Sequence, residues 1–213
     1  HYPLRRQRQM CIRDSIASGG NYNVLIGDEA GNDLTTGDHN IAVGYAALDA
    51  ATTNLYNVAI GYQTLTDANT SGGTNEGDAN TAVGYFTQPN ITTGSYNTSC
   101  GAQTLQNSTT SVSNTAVGYV AQSLNTTGSY NTGLGQQALY TNRTGYGNTA
   151  VGYVSMYTNA TAIYNTAMGY QSLYYATGGN NTAIGAFALL GASGDPVNNG
   201  ANNTCLGYAA GST

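Results

Sequence analysis

The chain has 213 residues, of which only 7% are charged, and it contains neither lysine nor tryptophan. Beyond residue 15, nine acidic residues stand against one basic residue, Arg143, which leaves a net charge of −8 and no basic patch for a phosphate backbone. No apolar run approaches the roughly 20 residues of a membrane-spanning helix. We therefore expect no nucleic-acid partner and no membrane span within this sequence.

Residues 1–15, HYPLRRQRQMCIRDS, hold four of the five basic residues and share no pattern with the remainder. They lack the apolar segment of a secretory signal. We interpret them as the translation of a sequencing adapter, expect no structure there, and assign no function to Cys11 or the adjoining arginines. Residues 16–22 lead into the rest of the chain.

From residue 23 the sequence repeats. Eleven asparagines open eleven similar units, at spacings of 17, 17, 23, 17, 17, 17, 17, 17, 16 and 22 residues. The long spacings reflect insertions at 66–79 and 191–202, at the same point of the unit. A period this short is typical of stacked coils and not of helical hairpins. The opening asparagines are Asn23, Asn40, Asn57, Asn80, Asn97, Asn114, Asn131, Asn148, Asn165, Asn181 and Asn203.

Each unit can be numbered from its opening asparagine as position 0. Position 2 is small in nine units, position 3 is Val, Ile, Leu or Met in ten, and position 8 is Leu or Met in seven. Period-two alternation over positions 1 to 5 predicts a short strand, and a second short strand can run through positions 7 and 8. Position 4 is always glycine: Gly27, Gly44, Gly61, Gly84, Gly101, Gly118, Gly135, Gly152, Gly169, Gly185 and Gly207.

The sequence therefore predicts an all-β fold, a parallel β-solenoid of about eleven 17-residue coils over residues 23–213, which we expect to be cut short at the C-terminus. Stacking in register allows an amide ladder through Asn40, Asn57 and Asn114, and the glycines allow close backbone approach or positive φ. At a strand spacing of about 4.8 Å, eleven coils make a rod about 50 Å long.

Placing the small position-2 residues inside leaves the position-3 column, with Val43, Val117 and Val151, facing outward. An apolar strip of that length favours self-association, most economically as a homotrimer with this column along its axis. The competing arrangement is a monomer with the valine column inside and the alanines outside.

The motif Ala-Val/Ile-Gly-Tyr-x-Ala/Ser, as in AVGYAA at 42–47 and AMGYQS at 167–172, resembles the head repeats of trimeric autotransporter adhesins and the repeats of some phage tail fibres. The resemblance covers residues 23–213. It implies a left-handed, trimeric, extracellular β-roll, attached to an outer membrane or a virion tail, that binds a host-cell receptor, a carbohydrate or another surface. The period here is longer than that of the usual adhesin head.

No nucleophile motif, phosphate-binding loop or zinc spacing occurs, so we expect no enzyme, cofactor or metal site. His39 falls in a turn, GDHN, where a solvated side chain is expected. Cys100 and Cys205 are expected to be buried free thiols too far apart for an intrachain disulfide. Glu76 and Asp78 lie in the first insertion, where calcium is a remote alternative.

The leading functional expectation is a non-enzymatic adhesive fibre segment, with a phage tail-fibre segment as the first alternative. An ice-binding or ligand-binding monomeric solenoid is the second, because position 1 is threonine in the last eight units. Asn-x-Ser/Thr sequons are numerous, but they follow from a composition rich in Asn and Thr. The expected surface contacts are the position-5 tyrosines Tyr45, Tyr62, Tyr85, Tyr119, Tyr153 and Tyr170.

Overall fold

A computed structural model describes residues 20–68, 77–175, 178–191 and 200–212. There the chain forms eleven three-residue strands, joined in chain order into one parallel sheet, and no helix. The predicted parallel β-solenoid is confirmed, with one strand in each unit. The strands are β1 (Val24–Ile26), β2 (Ile41–Val43), β3 (Val58–Ile60), β4 (Thr81–Val83), β5 (Thr98–Cys100), β6 (Thr115–Val117), β7 (Thr132–Leu134), β8 (Thr149–Val151), β9 (Thr166–Met168), β10 (Thr182–Ile184) and β11 (Thr204–Leu206).

Several expectations from the sequence fall outside the described residues. They are the interpretation of residues 1–15, most of the lead-in at 16–22, and much of both insertions, including Glu76.

The sheet pairs equivalent positions of neighbouring units. Ala42 lies opposite Ala59, for example, and each alanine stands two residues before the glycine of its unit. The same register continues across the 23-residue spacing, where Val58 pairs with Thr81, and across the 22-residue spacing, where Thr182 pairs with Thr204. The longer spacings therefore leave the register of the sheet unchanged.

Position 2 faces the interior of the coil. The alanines there are fully buried, as are most position-8 leucines that pack within the same core. Position 3 faces outward, so the competing arrangement with the valines inside is wrong. The buried position-2 alanines are Ala42, Ala59, Ala82, Ala116, Ala150, Ala167 and Ala183.

Positions 2 and 8 compensate for each other in volume. In the first unit, position 2 is the large Leu25 and position 8 is Gly31, where an added Cβ would lie 2.8 Å from Leu25 Cδ2. In the last unit, Cys205 and Gly211 repeat the exchange. In seven of the other nine units a small residue faces a leucine or methionine, and in two it faces a buried glutamine, Gln88 or Gln122. The core is thin, and its filling is shared between one large and one small side chain per coil.

The expected second strand is absent from positions 7 and 8, and this prediction was wrong. Residues at positions 6 and 8 adopt left-handed φ, as in Ala46 (48°) and Leu48 (56°). The N–H groups of positions 6 and 8 point to opposite neighbours. Ala46 N donates to Asp28 O in the preceding coil, and Leu48 N donates to Thr64 O in the following coil. Backbone groups are satisfied between coils without a β-strand.

The opening asparagines form a ladder along the whole solenoid. At each of ten steps, the backbone N–H of one asparagine donates to Oδ1 of the asparagine in the preceding coil, at 2.8–3.0 Å. The side-chain Nδ2 of Asn114 also donates to Gly128 O across its own coil. Such an amide joins two coils and closes one, although Nδ2 of Asn57 and of Asn165 has no hydrogen-bond partner among the described residues.

The position-4 glycines end the strands with φ between 115° and 144°. At Gly118, an added Cβ would lie 2.7 Å from both the carbonyl carbon and oxygen of Gly135 in the next coil. In the ten coils that have a following coil, neither the backbone angle nor the space at this column admits a side chain; at Gly207 only the angle excludes it.

Candidate interaction surface

The outer face of the sheet carries an apolar column, defined here as the position-3 residues. Its side chains are partly or largely exposed, for instance 38% for Val117 and 43% for Met168. Because the strands are in register, the column runs uninterrupted through all eleven coils. It comprises Ile26, Val43, Ile60, Val83, Cys100, Val117, Leu134, Val151, Met168, Ile184 and Leu206.

Cys100 is one member of that column and its side chain is exposed, while Cys205 is half-buried. The expectation of two buried thiols was therefore wrong. Position 3 points outward regardless of residue type, and a cysteine placed there inherits the exposure of the valines beside it.

The tyrosine column consists of the position-5 residues, which lie beside the apolar column just beyond the glycine. The rings of Tyr45, Tyr62 and Tyr85 stack with centroid separations of 5.3 and 5.4 Å, and Tyr153 stacks on Tyr170 at 5.5 Å. Both faces of the middle ring, Tyr62, are covered by its neighbours. Within a stack, a tyrosine therefore offers its ring edge and hydroxyl to a partner, and not its face.

Two further aromatic stacks were not predicted from the sequence. Tyr157 lies between Tyr140 and Tyr174, with centroids 5.2 and 5.1 Å away, at position 9 of successive coils. The sequence signal of this stack is the recurrence of tyrosine at position 9 in three consecutive units.

The second of these stacks contains His39. Its ring lies between Tyr22 and Tyr56 at 4.9 and 5.1 Å, nearly parallel to both. The sequence predicts a solvated turn residue, and His39 is indeed exposed at a bend, with φ of 60°. Its stacking between two tyrosine rings was not predicted.

The surface of the first coils is acidic. Burial raises the pKa of Asp49, and neighbouring carboxylates, Glu29 first among them, raise it further. A hydrogen bond and the charge of Glu29 raise the pKa of the Tyr45 hydroxyl. No group of three His, Cys, Asp or Glu residues able to hold a metal ion occurs within the described ranges.

Several sequon asparagines are unsuited to modification of the folded chain. Asn97, Asn125, Asn142 and Asn159 are fully buried. Nδ2 of Asn97 donates to Ser111 O at 2.9 Å, and Nδ2 of Asn125 donates to Gly128 O at 2.9 Å. The nitrogens that would carry a glycan serve the interior hydrogen-bond network.

In the part of the chain that the structure describes, no helix has the length and apolar character needed to span a bilayer. Comparisons with protein-family models, curated proteins and solved structures find no match to this chain.

Proposed function

We propose that this chain is a stiff, non-enzymatic fibre segment of an extracellular adhesin, three copies of which associate through the apolar column and attach to a cell or another surface. The observation that carries this proposal is the exposed apolar column itself. The resemblance of its motif to adhesin head repeats supplies the expected number of copies and the location on a cell surface.

The physical support for association is the continuity of the apolar column. A soluble monomer rarely exposes one contiguous apolar patch larger than a few hundred Å². Eleven such residues in register span roughly 50 Å at the usual strand spacing. Packing three rods around one axis covers every column with the same surface of its neighbours, which closes the assembly.

Light scattering on the full chain tests the assembly. We expect a mass about three times the 21.9 kDa of one chain. Replacing Val117 and Leu134 together by glutamate should reduce the mass to that of a monomer, because three carboxylates would meet at each level of the axis. The matched control replaces Thr127 and Thr144, exposed residues of the same two coils outside the sheet, by glutamate and should keep the trimer. A monomeric wild-type chain would overturn the assembly.

Adhesion is tested with beads coated with the full chain. Retention on an epithelial cell layer supports the adhesin, whereas retention only on bacteria supports the alternative, a phage tail-fibre segment. Replacing Tyr45, Tyr62 and Tyr85 by serine should reduce retention if these tyrosines make contact. Beads that neither layer retains would contradict an attachment role.

One observation favours a second candidate, a monomeric ice-binding solenoid. The position-1 threonines of β4 to β11 are partly or largely exposed, and the parallel register repeats them at one strand spacing. Thermal hysteresis of the purified chain, lost when Thr132 and Thr149 become tyrosine, would favour this function. Absence of thermal hysteresis would rule out the ice-binding function.

A further inference from the structure

The tyrosine column is interrupted in the fifth unit, where position 5 is Ala102. The flanking coils carry Tyr85 and Tyr119 at the same position. Since neighbouring strands lie about 4.8 Å apart, the two rings are separated by roughly 10 Å, twice the separation within a stack. The interruption is a slot, bounded by these two tyrosines and floored by Ala102.

The flanking rings are more exposed than comparable rings of the column. Tyr85 stacks on Tyr62 and is 55% exposed, whereas Tyr45 and Tyr153, which also stack on one tyrosine each, are 41% and 43% exposed; Tyr119 is 52% exposed. A ring face that neighbouring tyrosines cover elsewhere is uncovered here. Phe86, in the same coil as Tyr85, is tilted with its centroid 6.1 Å from that ring.

A second interruption shows what such a slot holds. In the tenth unit, position 5 is Ala186, between Tyr170 and Tyr208. The ring of Phe187 fills that space, with centroids 5.1 Å from Tyr170 and 5.7 Å from Tyr208. The fifth unit has Gln103 where the tenth has Phe187. The same alanine vacancy therefore accommodates one six-membered ring, and in the fifth unit the chain supplies none.

We infer that the slot at Ala102 binds one pyranose ring of a neutral glycan, between the faces of Tyr85 and Tyr119. This inference rests on the proposed attachment function and names its ligand class. The span of roughly 10 Å admits one six-membered ring, since the ring of Tyr62 occupies the equivalent span between Tyr45 and Tyr85 at centroid separations of 5.3 and 5.4 Å.

The polar surroundings also favour a sugar. Gln103 is half-buried at the position from which Phe187 fills the equivalent space in the tenth unit. Its amide and the tyrosine hydroxyls can donate to and accept from sugar hydroxyls, while the rings contact the apolar face of the pyranose. Beyond residue 15 the chain has nine acidic residues and one arginine, which disfavours anionic sugars and nucleotides.

Saturation-transfer NMR on the assembled full chain tests the inference, with methyl β-glucoside, methyl β-galactoside and methyl α-mannoside as probes. At least one should receive saturation at its ring protons. Ala102→Tyr restores the ring found at this position in seven units and should reduce the transfer roughly fivefold or more, because both flanking faces become covered. Gln103→Phe reproduces the Ala186–Phe187 pair and should also reduce the saturation transfer, because the phenylalanine ring would fill the slot.

The matched control is Asp28→Tyr, which adds a tyrosine at position 5 of the first unit without filling the slot, and should leave the transfer unchanged. No transfer to any of the three probes, or equal transfer in Ala102→Tyr and Gln103→Phe, would overturn the inference. If Ala102→Tyr changes the mass measured by light scattering, a tyrosine of a second copy occupies the slot, and the sugar assignment is wrong. A monomeric wild-type chain that still loses sugar binding on Ala102→Tyr would refute the trimer alone.

Discussion

The backbone N–H of Asn131 donates to Oδ1 of Asn114 at 2.9 Å, one coil below it, and the pair lies in the interior of the solenoid. The same bond recurs along the chain. Its removal at one step therefore tests how far the stability of a coil depends on this single amide.

Asn114→Ala should destabilise the protein by about 2–3 kcal/mol, because it leaves the buried Asn131 N–H without its partner and removes one of the two side-chain hydrogen bonds that Gly128 O accepts. Urea unfolding measures the change. Thr127→Ala removes an exposed side chain from the same coil and should alter the free energy of unfolding by less than about 0.5 kcal/mol. Equal effects of the two substitutions would show that the ladder contributes little.

Gly118→Ala should be more damaging than the same substitution at Gly133. At Gly118, φ is 124° and the new Cβ would press on the backbone of Gly135, so we expect a loss of about 3 kcal/mol or more. At Gly133, position 2 of the next unit, the nearest atom is Cγ of the flexible Gln122 at 3.1 Å. The unfolding temperatures of the two variants measure this difference. A lower unfolding temperature for Gly133→Ala than for Gly118→Ala would contradict the role assigned to the glycine column.

The carboxyl group of Asp78 should contribute more to the stability of the folded protein in acid than at neutral pH. Burial raises its pKa above the ordinary value of 3.8, against the lowering effect of the hydrogen bond that Leu55 N donates to it at 2.7 Å. A raised native pKa means that the folded state binds the proton more tightly than the unfolded state. The stabilisation is complete below the unfolded pKa and is lost as the pH rises through the folded pKa.

Asp78→Asn isolates that effect, since an amide oxygen can still accept from Leu55. The variant should exceed the wild type in unfolding temperature at pH 7 and match it at pH 3. Asp33→Asn, at an exposed side chain, serves as the control and should show a smaller difference. A wild-type advantage over Asp78→Asn at pH 7 would mean that the carboxylate is stabilising there.

Tyr157→Ala removes the middle ring of the position-9 stack and with it two ring contacts. At about 0.5–1.5 kcal/mol for each contact, the free energy of unfolding should fall by roughly 1–3 kcal/mol, in addition to the loss from the apolar area that the ring buries. Tyr119→Ala, at a more exposed ring, should be less destabilising in the same denaturant titration. A loss at Tyr119 as large as that at Tyr157 would argue against stacking as the cause.

The period of the sequence was sufficient to predict the register and the two faces of the sheet. Position 2 is small and position 3 apolar in nearly every unit, which separates the two faces and favours the small residues inside. The reverse orientation remained open from the sequence, and the structure decides for Ala116 inside and Val117 outside.

The left-handed positions could not be predicted in this way. Leu48, Gln63 and Tyr56 all adopt positive φ, yet none of these residue types favours it. Their conformation is imposed by the hydrogen bonds to both neighbouring coils, which exist only after stacking. The same holds for the slot at Ala102, because an alanine in a column of tyrosines has meaning only once the coils on either side are in place.

The longer units show that the sheet keeps its register when a unit is lengthened. Val58 and Thr81 remain partners although six more residues separate them than in the common unit, and the strands beyond pair unchanged. Foreign peptides inserted at the same point of several units would recur at regular intervals along the sheet, so the fold offers a scaffold for multivalent display.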